Sequence, residues 1–168
     1  MKSRIMKAQN VVNQNLCKEC KGKNCCQIAG CALAPKDFGG LITEETLEIR
    51  LKEDIVFSLI PTKKETKYKM QIMGMTVNAL FVPRIKGIKD KDSFLIKKKI
   101  SNNPCMYWSY ENGCKFSENE RPFGGLSVVP NKDKVNCYNL YELTAQHIKD
   151  WEPYQEVIMN LLKKLNAL

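Results

Sequence analysis

The 168-residue chain has one histidine, two tryptophans and no apolar run approaching a membrane span. A spanning helix needs about 20 consecutive apolar residues, so a transmembrane role is set aside. With His147 as the only imidazole, any metal site built here has to be nearly all thiolate. His147 lies in TAQHIKDW, expected to be helical and exposed. There is no glycine-rich cofactor loop, no paired carboxylates and no nucleophile beside a base, so no recognisable catalytic machinery is present. No repeat and no Gly/Ser- or Pro-rich linker divides residues 1–168, and one domain of this length can bury its own core without crosslinks. The N-terminal stretch MKSRIMKAQNVVNQNL is basic, but Gln9, Asn10, Asn13, Gln14 and Asn15 break any apolar signal region. The expected location is cytoplasmic.

What the chain does have is cysteine, eight in all, with four packed into residues 17–26, CKECKGKNCC. In a reducing compartment such thiols point to metal ligation or redox chemistry rather than to structural disulfides. Their surroundings agree: inert thiols scatter over apolar core positions, whereas these sit among Lys, Gly and Asn, where nearby cations favour thiolate.

Lysine and arginine outnumber aspartate and glutamate by 27 to 18, a formal charge of +9. A closed four-thiolate zinc or a cube cluster contributes about −2, so one or two such sites would leave roughly +7 or +5. Much of the basic excess then offsets thiolate charge, which weakens a nucleic-acid reading.

Cys17 and Cys20 have the C-x2-C spacing that lets one short turn present two sulfurs to a tetrahedral ion. Cys25 and Cys26 are adjacent and project in different directions, so one of the two stands behind the ligand shell, or the pair serves a cluster or two sites. A closed thiolate site would be structural, since catalytic zinc keeps an open position. The ferredoxin run C-x2-C-x2-C is missing, which argues against a ferredoxin-like carrier while leaving other cluster geometries open. A thioredoxin-like role for Cys17 and Cys20 requires a strand before and a helix after. VVNQNL and KGKNCC supply neither.

Along the rest of the chain, LITEETLEIRLKED reads as a helix capped by Thr43, with Leu47 and Leu51 on one face. Residues 67–85 read as two strands around Gly74. IKGIKDKDSFLIKKKIS, with its Lys97-Lys98-Lys99 run, reads as charged and solvated. CMYWSYENGCKF reads as a hairpin, Asn112-Gly113 supplying the positive φ angles, with Cys105 and Cys114 facing each other across it. Ser117 and Glu120 have capping-box spacing cut short by Pro122, and Gly124-Gly125 permits a close backbone approach. In DWEPYQEVIMNLLKKLNAL, Asp150 is the expected cap and Pro153 the first turn of a helix whose stripe is Val157, Ile158, Leu161, Leu162 and Leu165. That stripe is expected to pack on the core, a dimer seam being the alternative.

CKECKGKNCC followed by NPCMYWSYENGCKFSENERP resembles the cysteine-cluster family named for its CxxCxxxCC motif, described as a zinc- or iron-chelating domain. The family pattern of four clustered cysteines, an acidic helix opening, Cys, hairpin, Cys and Arg-Pro falls on Cys17, Cys20, Cys25, Cys26, LITEETL, Cys105, Cys114 and Arg121-Pro122. The resemblance covers roughly residues 17 to 140. This chain has four residues between Cys20 and Cys25 where the motif has three. The cysteine common after Arg-Pro is displaced to Cys137, and Cys31 is additional. The resemblance implies metal binding through Cys17, Cys20, Cys25, Cys26, Cys31, Cys105, Cys114 and Cys137, with Arg121 bonding within the site loop. It implies no assigned reaction, although larger proteins related to flagellin lysine methylation carry a similar cluster.

The expected fold is a small single α+β domain, with a few antiparallel strands between about 67 and 116, a C-terminal helix and irregular metal-bound cysteine loops. The expected function is metal binding, as an iron–sulfur cluster or zinc. An enzyme or redox protein acting on a protein substrate, and a basic nucleic-acid binder, are the alternatives; a protein partner is compatible with each.

Overall fold

A computed structural model of the chain describes residues 31–96, 103–109, 111–117, 120–130, 137–139 and 145–168. Cys17, Cys20, Cys25, Cys26 and the Lys97–Lys99 run lie outside the described residues.

The first α-helix among the described residues, α1, spans Glu44–Glu53. Thr43 caps it as its sequence predicts, the hydroxyl accepting from Thr46 N–H at 3.2 Å. Glu44 and Glu45 complement the helix dipole in its first turn, and Leu47 and Leu51, four apart, are buried on one face.

β1 (Ile55–Pro61) follows directly. Expectation placed no strand there, yet β1 is central in the sheet. β2 (Tyr68–Ile72) and β3 (Met75–Ile85) form the expected hairpin, turning through Met73 and Gly74, both at positive φ. β4 is Leu95–Ile96, and the sheet order is β2-β3-β1-β4. β1 and β2 pair antiparallel with β3, but β4 runs parallel to β1, so the sheet is mixed. Two small ribbons follow: β5 (Trp108–Ser109) with β6 (Gly113–Cys114), and β7 (Val128–Pro130) with β8 (Cys137–Asn139). Between them lies the single-turn helix α2, Phe123–Leu126.

The C-terminal region is α3 (Ala145–Trp151), a 3-10 turn at Glu152–Tyr154 and α4 (Gln155–Lys164). The expected start is corrected: Asp150 lies inside α3 rather than capping, and Pro153 sits in the 3-10 turn, where its missing N–H costs little. The stripe meets the core as expected, with Ile158, Leu161 and Leu162 fully buried. They pack with Leu47, Leu51, Phe57, Phe81, Ile85 and Trp151. His147, expected exposed, is buried in α3. The IKGIKDKD segment is likewise not simply solvated, because Lys86 and Asp90 are both 2% exposed.

The second edge of β3 is covered by a relay of unlike partners. The Thr66 hydroxyl donates to Ala79 O at 2.9 Å and accepts from Ala79 N at 3.3 Å. The Gln155 amide then serves Phe81 as a strand would, accepting from its N–H and donating to its carbonyl, each at 2.8 Å. Farther along, Leu33 N–H donates to Pro83 O and Ile85 N–H to Cys31 O. Proline is tolerated at 83 because only its carbonyl is used on that edge. Trp151 Nε1 donates to Leu33 O at 2.7 Å, fixing the 31–34 segment from the helical side.

A candidate thiolate centre

Three of the eight cysteines are brought together by backbone that the far end of β3 organises. Cys31 follows from the pairing just described: Ala32 bridges Arg84, so Cys31 stands opposite Ile85. Cys105 bridges Gly87 on the continuation of the same strand. Residues two apart in an extended chain share a face, so the positions opposite Ile85 and Gly87 do too. Cys31 approaches from one edge and Cys105 from the other. Both pack against the main core, and both are partly buried.

Cys105 is held on each side by its neighbours. Ile88 N–H donates to Pro104 O at 2.8 Å and Met106 N–H to Lys86 O at 3.0 Å. A buried polar bracket sets that approach. Asp90 Oδ2 accepts from Gly87 N–H at 2.8 Å and from Asn103 Nδ2 at 2.6 Å, while Asn103 Oδ1 accepts from Lys89 N–H at 2.8 Å. A Cβ at Gly87 would fall 2.2 Å from Asn103 Oδ1, so only glycine leaves room for the bracket. Lys86 runs underneath, its ammonium donating to Leu51 O and to Lys91 O.

Cys114 arrives on the β5–β6 ribbon. Its cross-strand partner is Trp108, so Cys105 and Cys114 do not face each other across the hairpin as expected; Cys105 precedes the ribbon. Gly113 has the anticipated positive φ, but Asn112 does not. Lys115 N–H donates to Tyr107 O, and the Tyr107 and Phe116 rings meet edge to face at 4.6 Å. The Tyr107 hydroxyl donates to Asp54, whose carboxylate also holds Arg50 through two bonds of 2.7 and 3.0 Å. Burial, then the Asp54 charge, pushes the Tyr107 hydroxyl up to about 12.

The Arg-Pro segment closes the site over Cys31. Ser117 and Glu120 bond as their spacing predicts, and Arg121 Nε reaches Phe116 O at 3.4 Å. Asp37 ties the segment down, accepting from Ala34 N–H at 2.8 Å and from Phe123 N–H at 3.0 Å. Gly124 then lies against the Ala32 backbone, and a Cβ at Gly125 would stand 3.7 Å from Cys31 Sγ.

The electrostatics follow from this enclosure. Burial pushes the Cys31 thiol well above the usual thiol range; the Cys105 thiolate, the Asp37 carboxylate and the Cys114 thiolate push the same way, and the Arg84 guanidinium opposes them. Burial also raises Asp37, against the pull of the Ala34 and Phe123 N–H bonds and of Lys36 and Arg50. Cys31 thus feels the charges of Cys105, 74 residues away, and of Cys114, and none of the three is in a disulfide. Among the described residues, no three His, Cys, Asp or Glu side chains are gathered tightly enough to hold an ion as they stand. Cys137 pairs with Pro130 through the β7–β8 ribbon. His147 lies in α3, four residues before Trp151, and both are buried.

Sequence reasoning missed the parts that hold the thiols in place: Asp37, the Asp90–Asn103 bracket and Gln155. For Asp37 a local signal existed, since Ala-Pro-Lys-Asp is the pattern of a short turn whose aspartate bonds back to its first N–H. The chain matches no family model, no curated protein and no solved structure. Among the described residues no helix is long and apolar enough to cross a membrane.

Proposed function

We infer that the chain is a cytoplasmic metal-binding protein of the CxxCxxxCC cysteine-cluster type, holding an iron–sulfur cluster or zinc through clustered thiolates. The observation that carries this reading is the convergence of Cys31, Cys105 and Cys114 from three separate segments onto one corner of the fold. Reduced thiols scattered as core packing need no such meeting, and the donor set suits a thiolate-loving ion or cluster. Cys17, Cys20, Cys25 and Cys26, five or more residues before Cys31, and Cys137 are the remaining ligands under this reading. Zinc would tie the cysteine loops to the sheet, whereas a cluster would add electron transfer.

The deciding experiment is metal and acid-labile sulfide content, with an absorption spectrum, on protein purified without oxygen. Iron with matching sulfide and broad visible absorption identifies a cluster protein. Zinc without sulfide identifies a structural site. Protein that carries neither, and takes up neither after anaerobic reconstitution, would remove the reading.

A further inference from the structure

Cysteine is not the only sulfur in this chain. Of its seven methionines, three fall within six residues, Met70, Met73 and Met75, in the run Met-Gln-Ile-Met-Gly-Met. We propose that these three form a thioether site for copper(I) at the tip of the β2–β3 hairpin. The site uses none of the cysteines and does not rest on the thiolate reading above. The hairpin register places its members. Ile72 pairs with Met75 and Met70 with Val77, so all four share one face. Met70 and Met75 are diagonal neighbours on that face, a spacing of about 7–8 Å in a sheet that long side chains span. Met73 opens the two-residue turn between the strands, and its three rotatable bonds let the sulfur fold toward the other two. On the opposite face the Gln71 amide donates to the Thr76 hydroxyl at 2.7 Å, clamping the ribbon one pair from its turn. β1 last pairs with β3 at Ala79, so the methionines stand on a two-stranded ribbon that reaches beyond it.

Two features of this tip are poor choices for folding alone. The turn takes positive φ at both central residues, 49° at Met73 and 80° at Gly74. Such turns favour Asn-Gly or Asp-Gly, because a plain carbon side chain is crowded in the left-handed region. Met73 is also 94% exposed and Met75 62%, the highest values among the large apolar side chains described. A long apolar residue thus occupies the most solvated position of the hairpin in a costly backbone conformation. A local rule broken without a packing return is a mark of function. The chemistry that three thioethers share is soft donation without charge, which selects copper(I) over zinc, magnesium or calcium. A thioether has no proton to release, so binding is independent of pH where thiols and imidazoles titrate. Lys69 lies on the face opposite Met70, away from the sulfurs. An ion held here by neutral donors in open solvent exchanges readily.

The test uses the full chain, reduced and anaerobic, carrying ¹³C-methyl methionine. Copper(I), supplied as its acetonitrile complex, is added until the thiols are saturated and then beyond. Methyl signals assigned through single Met→Leu variants report each sulfur. The expected result is that one further equivalent shifts the Met70, Met73 and Met75 methyls together, with an affinity unchanged from about pH 6 to 8. Losing a group that merely orients a ligand costs about 10–100-fold in metal affinity, so Met73→Leu or Met75→Leu should weaken this step by about tenfold or more. The amide spectrum of each variant checks that its fold is kept. Hairpin methyls that do not move, or that move only at the copper concentration that shifts Met1 and Met6, would overturn the site. Movement of Met73 alone, or an affinity unchanged in Met73→Leu, would overturn the assignment of the trio. Should copper(I) precipitate the chain first, Ag⁺, a soft monovalent ion of the same kind, takes its place and is judged by the same outcomes.

Discussion

Two adjacent glycines over Cys31 ought to respond in opposite ways to the same added methyl group. A Cβ at Gly124 would fall 1.9 Å from the Ala32 carbonyl oxygen and 2.8 Å from its carbon. Carbon-to-oxygen contacts settle near 3.3–3.6 Å, so the two backbones would have to part by about 1.5 Å. Neither side can yield freely. Ala32 lies in a segment bonded to Pro83, Ile85 and Trp151, while the neighbouring Phe123 is bonded to Asp37. Overpacking costs about 1–3 kcal/mol, and losing a bond to a carboxylate costs about 1.5–3 kcal/mol. Alanine's helical advantage over glycine returns at most about 1 kcal/mol. Gly124→Ala should therefore destabilise by about 2–4 kcal/mol. At Gly125 the added carbon would meet Cys31 Sγ at 3.7 Å, an ordinary contact. Gly125→Ala should be neutral or stabilising by up to about 1 kcal/mol. Urea unfolding of the reduced, metal-free chain measures both through the midpoint, provided the slope is unchanged. Equal effects at the two positions, or a Gly124→Ala loss under about 0.5 kcal/mol, would refute the packing described for this corner.

Three further outcomes follow from the same geometry. Gln155→Leu strands the N–H and carbonyl of buried Phe81 and should cost about 2–4 kcal/mol in the same urea assay, since unmade buried bonds cost about 1–3 kcal/mol each; a loss below 1 kcal/mol would mean that edge is served otherwise. In metal-free protein at pH 8, Cys31 should alkylate much more slowly than a free cysteine because burial keeps it protonated, and mass-spectrometric mapping that finds it labelled first would contradict the enclosure. Asp37 is raised in the fold, so it contributes stability that is fully present below its unfolded value near 3.8 and is lost as pH rises through its higher folded value; an NMR titration midpoint at or below 3.8 would be inconsistent with its burial.

Much of this fold was legible because its local signals agree with its tertiary contacts. Thr43 with two following glutamates marks a helix start whatever lies beyond it, and Gly74 between two apolar runs marks a turn. The Ile158, Leu161 and Leu162 stripe finds the core because a helix of that pattern has only one way to bury it. β1 was missed since Ile55–Ile60 is a nearly continuous apolar run, as a strand buried on both faces must be, and period-two alternation does not reveal it. The C-terminal helix began earlier than expected because Pro153 is accommodated in a 3-10 turn between two helices rather than opening one. At the candidate centre the residue types were readable and their partners were not. Cysteines at 31, 105 and 114 are visible as letters, but their meeting depends on which residues extend β3 past Ile85, and that pairing leaves no short-range trace.

The relay along the second edge of β3 has a consequence for the order in which the molecule is assembled. Leu33 waits for an indole 118 residues downstream, Asp37 for an amide 86 residues away, and Phe81 for a glutamine 74 residues later. A chain emerging from its N-terminus folds what it has, and loop closures of this span come late. During synthesis α1 and the β2–β3 hairpin have all their local partners early. The corner that houses Cys31 stays open until nearly the last helix has been made. Cys31 therefore spends most of its nascent life outside the shelter it finally occupies, and the closing event is the arrival of Trp151 and Gln155.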